Sequence, residues 1–237
     1  MIDRPVARGP LPLLSRTVSL ALWRYRRHSE NVKVTTKFII SAADPKQFPA
    51  PSAPEIAFLG RSNVGKSSLI NALVGDKIAK TSNTPGRTQT INFFDLRRLG
   101  KPHPEFFFVD LPGYGYARVP KAITTLWSQF IDPYLASRPS LALCLALVDV
   151  SIPPQQLDVQ LLQWLRHQQR NFRVIATKAD RISGNQLRSS LTRFSEAFEV
   201  DTSEIIPFSC TTRVGHAVLW RAIQSAAGIV TPGAAKD

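Results

Sequence analysis

The stretch that most constrains this chain runs from Glu55 to Ser68. A short apolar run, Ile56 to Leu59, enters Gly60-Arg61-Ser62-Asn63-Val64-Gly65-Lys66-Ser67, and Leu69, Ile70, Leu73 and Val74 then follow at helical spacing. Strand, glycine-bounded turn, lysine, serine and helix in that order make a phosphate-binding loop in the setting it requires. Gly60 and Gly65 let the backbone turn tightly enough for successive N–H groups to point inward at a phosphate. The helix beginning near Gly65 adds the positive end of its dipole. Lys66 supplies a point charge for β- and γ-phosphates, and the Ser67 hydroxyl is suited to ligate Mg²⁺. A glycine-rich turn with a stray lysine is the competing reading, but it does not explain why every fixed position is filled.

A chain of 237 residues fits one α/β domain with an appendage better than two full domains. The 43% apolar content is enough for a sizeable core and excludes a disordered chain. The formal net charge of +13 is more than nucleotide binding requires. It points to a polyanionic partner, nucleic acid ahead of an anionic membrane. The two cysteines, Cys144 and Cys210, have neither pairing nor metal-ligand spacing and read as reduced thiols of a cytoplasmic protein. His28, His103, His167 and His216 are scattered, so no transition-metal site is expected. No apolar run approaches the ~20 residues of a membrane span; the run Leu141 to Val150 reads as a buried strand.

Along the chain, residues 1–33 stand apart as an arginine- and proline-rich extension. They read as a disordered basic arm for RNA, as sequence upstream of the true start, or as a transit peptide. Residues 34–54 form an arm and linker: Val32 to Ile40 is an edge strand or extended arm, and the prolines between Asp44 and Pro54 exclude a helix. The core is expected over 55–228, with a flexible tail at 229–237. Thr90 to Leu96 and Glu105 to Leu111 read as an antiparallel hairpin at the sheet edge. Further strands are expected over Leu141 to Val150, Arg173 to Thr177 and Glu204 to Phe208. Helices are expected over Ala122 to Ala136, Leu157 to Gln169, Asn185 to Phe198 and Gly215 to Ala226. This alternation predicts an α/β fold: a mostly parallel six-stranded sheet with helices on both faces, and the contact segments at its carboxyl edge.

Two further motifs give those segments chemistry. Asp110-Leu111-Pro112-Gly113 ends a strand without alternation, so Asp110 suits a water-mediated Mg²⁺ contact and Gly113 an approach to a γ-phosphate. Thr177-Lys178-Ala179-Asp180 ends another strand. Asp180 can accept hydrogen bonds from the guanine N1–H and exocyclic amine, and the Lys178 stem can cover the ring face. Adenine has no such donor pair on that edge. Backbone N–H groups in Ser209-Cys210-Thr211 are candidates for the guanine O6.

Together with Thr84-Pro85-Gly86-Arg87-Thr88-Gln89 and the run Asp110 to Tyr116, these motifs resemble the EngB (YihA/YsxC) family. These are bacterial P-loop GTPases of the translation-factor class, and the resemblance covers about residues 34 to 228. It implies a G domain that binds guanine nucleotide and hydrolyses GTP to GDP slowly, with Mg²⁺. It also implies work on the large ribosomal subunit precursor, through rRNA or ribosomal protein, and a link to cell division and septation. By position, the resemblance assigns GTP contacts to Gly60, Arg61, Ser62, Asn63, Val64, Gly65, Lys66 and Ser67. The first switch contributes Gly86, Arg87, Thr88, Gln89 and Thr90, and the second Asp110, Leu111, Pro112 and Gly113. The base is held by Thr177, Lys178, Ala179, Asp180, Ser209, Cys210 and Thr211. Mg²⁺ falls to Ser67 and Thr88, with Asp110 through water, and catalysis to Lys66, Asn63 and Thr88.

Thr177 stands where GTPases more often have asparagine, which removes one base-side amide contact. Tyr114 stands after the second-switch glycine, so no glutamine there orients the attacking water. Asn63 is the feature with which similar GTPases hold K⁺ near the phosphates, an alternative source of positive charge. Arg61, Arg87 and Arg118 flank the site as rRNA contacts or as solvated surface arginines. A monomer that does not bind membranes is expected. Two competing functions are a basic RNA-binding module with a structural nucleotide, and a P-loop ATPase or kinase, which leaves Thr177 to Asp180 without a purpose.

Overall fold

Period-two burial organises the centre of the molecule. In this computed structural model, which describes residues 34–79, 90–98, 102–114 and 130–229, strand β2 (Glu55–Gly60) is buried along its whole length. Ile56 and Phe58 enter one apolar cluster and Ala57 and Leu59 the other. Strand β4 (Phe106–Asp110) divides the same way, Phe106 and Phe108 against Phe107 and Val109. So does β5 (Leu141–Asp149), Leu143, Leu145 and Leu147 against Cys144, Ala146 and Val148. Continuous apolar runs are thus explained by a sheet covered on both faces.

The remaining strands are β1 (Val34–Ala42), β3 (Ile91–Arg98), β6 (Phe172–Thr177) and β7 (Ile205–Pro207). They complete a seven-stranded sheet in the order β1-β3-β4-β2-β5-β6-β7. Among the described residues, only β1–β3 and β3–β4 pair antiparallel. The expected six strands become seven because β1 is a true strand, and the β3–β4 hairpin is interior rather than at the edge. Of the two readings of Val32 to Ile40, edge strand and extended arm, the strand holds over Val34–Ala42, and among its described side chains only Ala42 is buried.

One face carries α1 (Lys66–Val74) and α5 (His216–Ala226), through Leu69, Ile70, Leu73, Leu219 and Ile223. The other carries α2 (Asp132–Ser137), α3 (Gln156–His167) and α4 (Gly184–Phe198), through Tyr134, Leu135, Leu162, Leu165, Phe194 and Phe198. Each fully buried Leu, Ile or Phe contributes about 1.5–3 kcal/mol of transfer free energy. Helix α4 starts on a capping box between Ser183 and Gln186. Of the expected helix Ala122 to Ala136, residues 122–129 lie outside the described residues.

At the amino-terminal end of β2, buried Glu55 accepts from the Tyr134 hydroxyl at 2.8 Å, the Ser140 hydroxyl at 2.8 Å and Arg138 Nη2 at 2.6 Å. Arg138 Nη2 also donates to Pro49 O, tying the linker down. The opposite, carboxyl end is left for the site. There the chain leaves β2 for β3 and β4 on one side and for β5 on the other, the switch point at which α/β sheets bind ligands.

Candidate nucleotide site

The loop from Gly60 to Gly65 turns from β2 into α1 with two residues in left-handed backbone, Asn63 (φ 64°) and Gly65 (φ 104°). Gly65 caps α1 without any side-chain bond, so the first N–H groups of the helix have no intrahelical acceptor. Gly60 is required sterically: a Cβ there would lie 2.8 Å from Val64 Cγ1 and 3.1 Å from Leu147 O. Val64 is buried under the turn. The Lys66 ammonium is bonded to the Asp110 carboxylate across the loop, and Asp110 is only 5% exposed. The sequence-predicted lysine and carboxylate are therefore brought together where α1 begins and β4 ends, with Ser67 in the first turn of α1.

The segment after β4 runs alongside the loop. Tyr114 N donates to Gly60 O at 3.4 Å, and Ser62 N donates to Tyr114 O at 3.1 Å. Gly113 packs against Ser62 so closely that a Cβ would meet Ser62 Oγ at 3.0 Å and its backbone N at 3.1 Å. Leu111 is buried in the core.

The base-side segment forms after β6. Lys178 is left-handed (φ 61°), and its ammonium bonds Asp149 Oδ2 at 2.6 Å. Burial pulls the Asp149 carboxyl up, but bonds from Lys178 and from the Ser151 hydroxyl and N–H outweigh it and hold it below the ordinary value. Ala179 N donates to Phe208 O at 3.2 Å, seating the turn that carries exposed Asp180 against the end of β7. Fully buried Ser209 accepts from Thr211 N at 3.2 Å and Thr212 N at 3.0 Å, which shapes the next loop. Cys210 lies near Asp180: partial burial raises its thiol pKa, and the Asp180 charge adds to it. Both cysteines are free thiols.

Thr177 faces inward. Its hydroxyl lies 2.7 Å from Val64 O and 2.9 Å from Val148 O, shared between the phosphate loop and β5. Asp149, Asp158 and this role of Thr177 were not anticipated. A signal existed for both carboxylates: Asp149 ends an apolar strand as Asp110 does, and Asp158 shares helical spacing with Leu162 and Leu165. Asp158 accepts from Arg61 Nε, 3.2 Å from each oxygen, and from the Tyr114 hydroxyl at 2.9 Å. Arg61 is thus paired, and not the open rRNA contact or solvated arginine expected. Burial raises the Asp158 carboxyl pKa despite both partners.

Thr90 O–H donates to Asn92 Oδ1 at 3.4 Å, beside the site, since Asn92 stands opposite Asp110 in the β3–β4 register. Gly86, Arg87, Thr88, Gln89 and Arg118 lie outside the described residues. Among the described residues, no cluster of three or more His, Cys, Asp or Glu is set to hold a metal, and no helix is long and apolar enough to cross a membrane.

A family model described as a 50S ribosome-binding GTPase matches residues 55–178. A probable GTP-binding protein EngB of Koribacter versatilis is 62% identical over 204 residues, covering 86% of this chain and 100% of that protein. The chain belongs to the EngB family. Another EngB relative, from Acidobacterium capsulatum, is 52% identical over 201 residues, 84% of this chain and 94% of its own. The crystal structure of a probable GTP-binding protein EngB matches with a TM-score of 0.58 at 25% identity, over 73% of this chain and 98% of that one. Aquifex aeolicus Era bound to GDP·AlF4⁻ shares the fold, with a TM-score of 0.57 at 21% identity over 73% of this chain and 56% of that one. EngB membership makes this a GTP-binding protein of the P-loop GTPase class with a G-domain fold.

Proposed function

We propose that this EngB protein is a slow GTPase switch of the bacterial cytoplasm that acts on the large ribosomal subunit precursor, and that normal division and septation depend on it. The observation that carries the reading is the convergence of Lys66 and Asp110 with Lys178, Asp180 and Ser209 at one sheet edge. One end of that edge suits phosphates and the other suits guanine. Lys66 must exchange its Asp110 partner for phosphate oxygens when nucleotide enters, so charge is handed over without being left bare. Asp149 keeps the Lys178 stem extended for the ring face, and Asp180 reads the guanine edge.

The oxygen donors Ser67 and Asp110 suit Mg²⁺, a hard cation, with Thr88 as the partner expected from the first switch. When bound, Mg²⁺ neutralises charge on the β- and γ-phosphates. Asn63, exposed and left-handed at the loop's crest, is the proposed K⁺ contact. If Asn63→Asp leaves hydrolysis in K⁺ relative to Na⁺ unchanged from wild type, the K⁺ role is wrong. The +13 charge supports an RNA-bearing partner, and the Koribacter and Acidobacterium relatives share nearly their whole length with this chain.

The test is calorimetric titration of GDP and ADP against wild type and Asp180→Asn. GDP binding with no ADP binding, and loss of GDP affinity in the variant, are expected. Equal binding of GDP and ADP would overturn the guanine switch in favour of an ATPase or kinase. Hydrolysis over many turnovers on ribosomal particles then separates the switch from an RNA-binding module with a structural nucleotide.

A further inference from the structure

Asp158 carries a charge in the first turn of α3, yet its side chain is only 2% exposed. An aspartate there would favour the helix dipole from the surface equally well. Burial is instead explained by two partners from separate segments. Arg61 is the first residue of the phosphate loop after Gly60, and Tyr114 is the first residue after Gly113. Arg61 presents Nε to both carboxylate oxygens, and Tyr114 donates its phenol O–H to one of them.

The same two segments are already joined through their backbones, by Tyr114 N to Gly60 O and Ser62 N to Tyr114 O. Arg61 and Tyr114 form an isolated parallel bridge. The 110–114 segment is therefore fastened to the loop at two levels, and Asp158 joins them at the side-chain level. The fastening presses Gly113 onto Ser62, where a Cβ would meet Ser62 Oγ at 3.0 Å. Gly113 is the residue the site reading assigns to a third phosphate, so the fastening acts on the part of the site that tells a triphosphate from a diphosphate.

We propose that Asp158 is a positioning residue that holds Tyr114, and through it the 110–114 segment, against the phosphate loop and so sets the preference between nucleoside diphosphate and triphosphate. This rests on reading the site as one for GTP and GDP. A residue acting this way changes the preference between the two nucleotides, because a ligand shifts an equilibrium only by its differential affinity for the two arrangements.

The experiment measures GDP and GTPγS affinities of wild type, Tyr114→Phe, Asp158→Ala and the double variant, with the melting temperature of each. Tyr114→Phe keeps the ring and removes only the donor. Each single change is expected to shift the ratio of GTPγS to GDP affinity by about fivefold or more, both in the same direction. The double variant is expected to go no further than the larger single change, because both break the same contact. A parallel fall in both affinities that tracks melting temperature, or additive single effects, would overturn the role and leave a structural brace. A wild type that binds neither nucleotide would overturn the GTP-site reading itself, a result distinct from unchanged selectivity in a binding protein.

Discussion

A hydroxyl shared by Val64 O and Val148 O ties the loop that faces phosphates to the strand beside the base-side turn. Thr177→Val keeps the shape and removes the one hydroxyl hydrogen the two carbonyls share, at about 1–3 kcal/mol. GDP dissociation, followed by stopped flow, is expected to quicken about tenfold in that variant, whereas Thr177→Ser retains the wild-type rate. If Val and Ser variants release GDP equally fast, the hydroxyl is not a tie. Gly215 is a second such position. Its φ is 78°, and a Cβ would fall 2.0 Å from Pro207 O. Gly215→Ala is therefore expected to lower stability by at least ~1–3 kcal/mol, read by thermal denaturation, because left-handed backbone and overlap act together.

Helices α1, α3, α4 and α5 place their apolar residues on one side each, and that spacing was legible without coordinates. The strands of the sheet centre were legible too, as runs without alternation. The edge strand β1 was ambiguous because it buries so little, and its pairing depends on a neighbour far along the chain. At the site, the residues that touch ligand follow motif spacing, but Asp149 and Asp158 act through partners from other elements, which spacing alone does not join. Removing part of the α1 face tests the packing argument: Ile70→Ala is expected to cost about 2–5 kcal/mol in denaturant unfolding. The Lys178–Asp149 contact between β6 and β5 gives a pH prediction. A carboxyl held below its ordinary value contributes stability above an unfolded value near ~3.9, and this is lost as pH falls through the lower folded value. Asp149→Asn should flatten that acid limb of the melting-temperature profile and leave its neutral region parallel to wild type.

Across the whole molecule, +13 of charge predicts that affinity for ribosomal particles falls steeply with salt, linearly on logarithmic axes, in sedimentation binding assays. A salt-independent affinity would point to an apolar contact instead. The seven-stranded sheet also ends differently at its two margins. Strand β7 is three residues long and closes on Pro207, which lacks a donor. Strand β1 breaks register between Phe38 and Ile40, and its outward margin carries Lys37 beside exposed Phe38 and Ile39. Short length, a bulge and a lysine are the means by which sheet margins resist pairing with another chain. Sheet growth by recruitment of a second molecule is thus disfavoured at both margins.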